Sequence, residues 1–464
     1  MIKKKLLGFL IFLPFFSSGQ LEKSNLDLSS EFIESIQVDN RGIIWIGTDE
    51  GLNLITHSNT YRFYSNISNK KGILNSEVHR IEEVNDNFIA VFSNNGISFF
   101  DPKTFSFEQL QLKSKPIDIY FDNNTQKYWV TTVSSGIYIL NSKKEIEKNL
   151  IYDPLNPLTL SSSSFASNNN NKLIDFEDNS SIYIATPNGF NVYNKSQENV
   201  KRYFKQRSSS LLSNNINTIL RISKTEILLG TDRGINVFNT SSKKFNKTII
   251  AEGKNVSHLY KINSNKYCLI ADGKLYPFEL NSKNFNLNSG INLFNTNEKL
   301  SVTKKDDLLY IYSKDDNRLL SIELNKFKKK TIRVDSNIQA IEISNRQFYI
   351  GTNQGVYQQK NTSQLVEDEN MNGIFFYYHH PENKVLVYKN RIIANNKKIK
   401  IPADVEINEQ TNFEISDGIL FIGGKNLSVL DTKSTTFFKN IFTNEDLLEG
   451  KLNNLKVINS NLYV

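Results

Sequence analysis

The sequence predicts an all-β chain: a seven-bladed β-propeller followed by the first part of a second propeller. Three observations predict it. A phrase of two short apolar runs joined by a Gly-containing turn returns along the chain. The runs are rich in Ile, Val, Phe and Tyr and are bounded by Gly, Asn, Asp and Ser, which is strand patterning. The turn glycines Gly51, Gly96, Gly136, Gly189 and Gly234 stand 45, 40, 53 and 45 residues apart, the length of a four-stranded blade.

The elements follow in order. Residues 1–20 open with Met1-Ile2-Lys3-Lys4-Lys5, continue with an apolar run from Leu6 to Phe16, and end on Ser17-Ser18-Gly19-Gln20. A basic start, a short apolar core and small residues predict a secretory signal peptide. The run is too short to span a bilayer, and no cysteine follows it to carry a lipid. Leu21 to Ser29 is expected to supply an outer strand that closes the first ring. The first blade then reads clearly: Phe32 to Asp39 alternates, Asn40-Arg41-Gly42 turns, Ile43-Ile44-Trp45-Ile46-Gly47-Thr48 is an apolar run, and Asp49-Glu50-Gly51 is a tight turn. Leu52-Asn53-Leu54 follows, and Tyr61-Arg62-Phe63-Tyr64 forms the last strand. Gly51 stands where a hairpin demands unusual backbone freedom.

Further copies begin at Ala90, Trp129, Tyr183, Leu228 and Tyr349. Weaker ones lie at Cys268 to Phe278, Leu309 to Ile322, Val385 to Ile393 and Leu420 to Leu430, and an eleventh opens at Leu455. The widest gap holds Ser161 to Ser164 and Asn168 to Asn171, a polar insertion. Eleven units exceed one ring. Residues 21–332 are therefore expected to form seven blades, and 333–464 the first three to four blades of a second ring. The chain stops within a blade's second strand, which predicts a piece of a longer protein; the alternative is a small second ring that closes on four blades.

Cys268 is the only cysteine, so the fold relies on buried sheet faces rather than disulfides. The net charge is +8, or +5 once the three leader lysines are set aside. The lysines are scattered at expected hairpin tips, and with export this argues against nucleic acid as a partner. No stretch after the leader has the length of a membrane span.

The first copy, with Ile36, Asp39, Gly42, Trp45-Ile46-Gly47-Thr48 and Gly51-Leu52-Asn53, resembles the two-component regulator propeller repeat. That repeat fills the periplasmic half of hybrid two-component sensors and related regulators of Bacteroidetes. The resemblance extends over nearly all of the mature chain. It implies two propellers, then a small β-sandwich with three tyrosines, a membrane helix and a kinase or DNA-binding output; those later parts are not in this sequence. It further implies an oligosaccharide ligand and a sensor that works as a homodimer.

Catalytic chemistry finds little support. The five histidines are His57, His79, His258, His379 and His380. None has metal-site spacing, and adjacent His379 and His380 face opposite sides of a strand. Cys268 sits in an apolar strand phrase as a small hydrophobe. Asp39, Asp49, Asp122, Asp178 and Asp232 fall at turns, where Asp caps its own backbone. Trp45 and Trp129 hold equivalent places in their blades, which favours packing over sugar stacking. No catalytic, cofactor or metal residue is assigned, and ligand-binding residues are not legible, because loop tips set them.

The expected function is the exported, periplasmic or cell-surface, ligand-sensing input region of a two-component sensor, without enzymatic activity or cofactor of its own. The alternatives are an exported scaffold related to type IX secretion and, behind it, a propeller lyase or hydrolase.

Overall fold

The structure is a computed structural model. It describes residues 21–463 apart from 25, 56–59, 66–71, 85–87, 103, 166–170, 177–179, 207–210, 281–289, 296–298, 345–346, 360–375, 381–384, 389–390, 396, 409–410, 425–426, 443–455 and 459–460. The expected leader, His57 and Asp178 lie outside the described residues. Every regular element described is a β-strand.

The first four-stranded antiparallel sheet shows how the phrase folds. Its strands are Ile33–Val38, Ile44–Thr48, Leu52–Ile55 and Thr60–Phe63, in that spatial order. The second and third strands are buried at every position, whereas the outermost is half open. Strands covered on both faces have no solvent side, so their sequence is continuously apolar rather than alternating.

The polar members of the phrase are also explained. The Thr48 hydroxyl donates to the Gly51 carbonyl at 3.0 Å and accepts from the amides of Glu50 and Gly51, closing the turn. Asn53 is buried. Its side chain accepts from the Ser29 amide at 2.8 Å and donates to the Ser29 hydroxyl at 2.9 Å, tying the entering chain to the sheet. The fourth sheet repeats this with Thr186, Asn191 and Ser161.

Eight such sheets succeed one another. Their innermost strands are Ile33–Val38, Arg80–Val84, Pro116–Asp122, Ile174–Asp175, Ile216–Arg221, Val256–Lys261, Leu300–Lys305 and Ile338–Ser344. The core lies between neighbouring sheets. Trp45 packs with Phe100, Phe92 with Val130, and Trp129 with Ile182. The series continues through Leu228 with Leu269, Cys268 with Leu309, and Tyr310 with Ile350. It returns to its origin where Val356 and Tyr349 pack on Ile33 and Ile46.

The ring therefore closes one unit later than the expected boundary at 332. The eighth sheet takes Leu21–Lys23 as its outermost strand, paired antiparallel with Gly355–Gln359. Gly351 shows the same neighbour relation as Gly47. A Cβ at Gly47 would lie 2.5 Å from Val78 at the entrance to the second sheet, and one at Gly351 would lie 2.5 Å from Ile33 at the entrance to the first. The expected closing role of the N-terminal strand stands, but it acts on the eighth unit. Periodicity counts units; it does not mark where the ring shuts, because that depends on a pairing across more than 300 residues.

Beyond the ring, Phe376–His380, Val385–Tyr388, Arg391–Ala394 and Lys397–Lys400 form a ninth sheet. Asn412–Ser416, Ile419–Gly423, Leu427–Asp431 and Thr436–Phe442 form a tenth, and Lys456–Ile458 pairs with Asn461–Tyr463. The ninth and tenth share a core that includes Val387, Ile392, Ile415 and Leu420. Tyr388 leaves that core and packs with Trp45 and Phe100 of the ring.

Candidate functional site: the central channel

The innermost strands leave a channel of about 500 Å³ along the ring axis. Its wall comes from six sheets: Glu34 to Gln37, His79 to Glu82, Lys115 to Ile117, Tyr260, Val302 to Lys304, and Gln339 to Glu342. Alternate residues of a strand face the same side. Arg80 and Glu82 thus project together toward the axis.

A charged cluster forms there. The Arg80 guanidinium donates through Nε to Glu82 Oε1 at 2.8 Å, and its Nη2 also reaches Glu82. The same Nη2 donates to Asp118 Oδ1 at 3.3 Å. These side chains are about a fifth exposed, 22% for Arg80 and Glu82 and 16% for Asp118, so channel water reaches the cluster. Burial pushes the Glu82 carboxyl up to about 8, against the pull of Arg80. Burial also works against the Arg80 charge, but Asp118 and Glu82 outweigh it and hold its pKa above the usual value. The two shifts are consistent if one guanidinium is matched by one carboxylate. Two carboxyls share one guanidinium, and at Glu82 burial outweighs the pull of Arg80, so this carboxyl keeps its proton to higher pH.

Nearby groups are similarly perturbed. His79 is pushed down to about 3 by burial and then by the Lys115 charge, so the ring is neutral. Its Nε2 lies 3.2 Å from the Pro116 carbonyl. Glu342 is pushed up to about 7 by burial, with Lys305 opposing. Lys314 Nζ pairs with Glu34 Oε2 at 3.2 Å, and the Lys314 carbonyl accepts from Gln339 at 3.3 Å. The Tyr312 hydroxyl donates to the Gln339 carbonyl at 3.1 Å, and burial pushes that phenol up to about 12. The wall thus offers both signs of charge and several donors in one enclosed space, as ligand sites do.

The residues singled out in the sequence scatter. Among the histidines whose side chains are described, His79 alone lines the channel. His258 is buried on the sixth sheet's inner strand, Val256–Lys261, and does not line the channel: it stacks on Tyr260 at 6.2 Å, and its Nδ1 lies 3.0 Å from the Ser257 hydroxyl. His379 and His380 end the strand Phe376–His380, and their side chains are outside the described residues. Cys268 is fully buried between the sixth and seventh sheets, and burial pushes its thiol up to about 12.

Asp39 and Asp122 are buried turn caps, while Asp49 is exposed. Trp45 and Trp129 are both packed between sheets. Among the described residues, no group of three or more His, Cys, Asp or Glu is arranged to hold a metal ion. The Arg80–Glu82–Asp118 cluster was missed. An Arg-x-Glu on a predicted inner strand was the available signal, but its partner lies 38 residues on in another sheet.

With this geometry in view, the comparisons follow. Residues 27–50 match the family described as two component regulator propeller. The chain carries a two-component regulator propeller repeat. This is the stretch whose Asp39, Trp45 and Thr48 are accounted for above. No curated protein matches the chain.

Among solved structures, the extracellular domain of a protein described as a hybrid two component system from B. thetaiotaomicron is similar at 16% identity and a TM-score of 0.46. The match covers 95% of this chain and 56% of that one. A second extracellular domain from the same organism, described as a one component system, is similar at 14% identity and a TM-score of 0.43, covering 96% and 64%. BamB from Moraxella catarrhalis is similar at 11% identity and a TM-score of 0.49, covering 74% and 100%. The chain spans little more than half the length of the first of these structures.

Among the described residues, no helix is long and apolar enough to cross a membrane.

Proposed function

We propose that this chain is the ligand-sensing input region of an exported two-component regulator, and that the channel of its ring is a ligand site. The regulator repeat at residues 27–50 carries the reading. The leader pattern at 1–20 supports export to the periplasm or cell surface. The channel supports recognition: its polar groups come from six sheets of a closed ring, so ligand contacts would be preorganised rather than formed on loops. The ligand is a small molecule, and an oligosaccharide is the class to try first. The ninth and tenth sheets begin a second ring, and a homodimer is the signalling unit, in which ligand shifts the population between two arrangements.

The experiment is calorimetry on the purified protein against a panel of neutral and acidic oligosaccharides. A binder is then retested on Gln37→Trp and Thr303→Trp, which fill the channel. A ligand that both substitutions exclude supports the reading. A panel without a binder, or a binder indifferent to the filled channel, removes the channel as its site.

A further inference from the structure

The outer rim of the ring carries a run of charge that packing does not explain. Between Leu324 and Val334 the chain reads Asn325-Lys326-Phe327-Lys328-Lys329-Lys330-Thr331-Ile332-Arg333, with five basic residues and no acidic one. Lysine runs are expected at hairpin tips, but this one lies mostly within a strand. Lys328–Arg333 is the outermost strand of the seventh sheet, and every residue of it except Ile332 is exposed. It pairs with Arg318–Glu323 on one side only, so its other edge is open.

Few of these charges are matched within the protein. Lys326 pairs with Glu323 at 2.7 Å. Lys329 Nζ donates to the Asn292 carbonyl at 2.9 Å, which leaves its charge unneutralised. Lys328 and Arg333 have no carboxylate partner among the described residues. Directly opposite Arg333 stands another cation, Arg318, itself held by Asp316. Like charges facing each other across a sheet cost stability. A charged edge strand also discourages pairing between molecules, but one charge serves that purpose on the first two sheets: Arg62 on Thr60–Phe63 and Glu108 on Ser106–Gln111. Four cations among the six residues of Lys328–Arg333 exceed it.

The shape of the patch selects its partner. The flanking outermost strands among the described residues are Ile291–Asn292, which is uncharged, and Leu21–Lys23, where Glu22 offsets Lys23. The positive charge is therefore a line, about 17 Å long at about 3.4 Å per residue, and not a plane. Among the described residues the seventh sheet exposes no large apolar side chain that could enter a bilayer. We propose that the outermost strand of the seventh sheet docks an acidic polysaccharide, with Lys328, Lys329 and Arg333 on its carboxylates. Export, expected from the leader at 1–20, makes a glycan rather than a nucleic acid the polyanion within reach. The site is a tether for a polymer, apart from the channel of about 500 Å³, which is sized for a small ligand.

Polygalacturonate is the probe, titrated onto the immobilised full chain by biolayer interferometry at about 50 mM and about 200 mM salt. Saturable binding that weakens with salt is expected, because cations on a polyanion release its counterions. Combining Lys328→Gln, Lys329→Gln and Arg333→Gln should weaken it about tenfold or more at the lower salt and flatten the salt dependence. Lys328→Arg with Lys329→Arg should bind as the parent does. Replacing three exposed lysines elsewhere on the ring, Lys113, Lys143 and Lys261, by Gln should leave binding intact, and so should Gln37→Trp, which fills the channel. Equal loss in the two triple variants would reduce the effect to net charge. Loss in Gln37→Trp alone would put the polymer in the channel. Tighter binding to phosphatidylglycerol vesicles or duplex DNA would assign a different partner. Any of these, or no saturable binding, overturns the proposal.

Discussion

Asp39 shows how much one side chain of the repeat carries. It is 4% exposed, and its Oδ1 accepts from the amides of Arg41 and Ile43, both at 3.0 Å. Oδ2 accepts from the Trp45 indole at 3.0 Å and from Arg41 Nε at 3.1 Å. Asp122 holds the matching place in the third sheet but spends its carboxylate on Thr125 at 2.8 Å and Lys195 at 3.0 Å. Asp39→Ala should therefore cost about 3–5 kcal/mol, the loss seen when one partner of a buried charged network is removed, read as a shift in the urea midpoint. Asp122→Ala should cost less, because the Trp129 indole nitrogen makes no bond to it. Equal costs would show that the Asp–Trp bond adds nothing.

Glu342 supplies the pH test at the same scale. The folded protein keeps its proton to about pH 7, while the unfolded chain releases it near 4.5. Between those values the native state binds more protons, so stability falls as pH rises through the window. Glu342→Gln should thus gain about 1–2 kcal/mol relative to the parent on going from pH 4.5 to pH 8, after discounting for channel water. A pH-independent difference between the two proteins would refute it.

At the scale of elements, the small residue before Thr in the phrase has a steric reason. Gly47 and Gly230 do not need unusual backbone angles. A Cβ at Gly47 would come within 2.4 Å of the Ser35 hydroxyl, and one at Gly230 within 2.7 Å of Thr218. The next sheet enters over these positions. Gly351→Ala would press on Ile33 and strain the closure between the eighth and first sheets. It should cost about 1–3 kcal/mol in overpacking, measured by thermal and urea unfolding. A neutral result would mean that this junction is looser than its counterpart at Gly47.

Strand order within each sheet was legible in the sequence, because Gly turns and apolar runs are local signals. The buried Asn53–Ser29 tie was not, although both residues were noted. A lone Asn in an apolar run shows no partner until the entering segment, 24 residues earlier, is laid beside it.

At the scale of the molecule, the propeller itself was readable from the spacing of its units, and its closure was not. The channel was equally hidden. Its wall is built on and beside the inner strands, and no two sheets repeat the same side chains there: Glu34, Arg80, Lys115 and Glu342 share no motif. Repetition preserves packing, and a binding surface differs from blade to blade, so the features that identify the fold conceal the site.

The junction between the ring and the ninth sheet follows the same logic. Tyr388 is 1% exposed, sits among Trp45 and Phe100 of the ring, and carries the Arg391 guanidinium 4.7 Å above its ring. Burial, foremost, raises its phenol pKa. One buried aromatic anchor is a means of docking the ninth sheet on the ring.

Tyr388→Ala should empty that pocket at a cost of about 3–5 kcal/mol to docking, while the ring's own strand pairing persists. With Trp129→Phe as background, Trp45 is the sole tryptophan, and its emission should shift to the red as water enters. Limited proteolysis should then cut between the eighth and ninth sheets faster than in the parent. Unchanged emission together with unchanged cleavage would show that Tyr388 does not hold the ninth sheet to the ring.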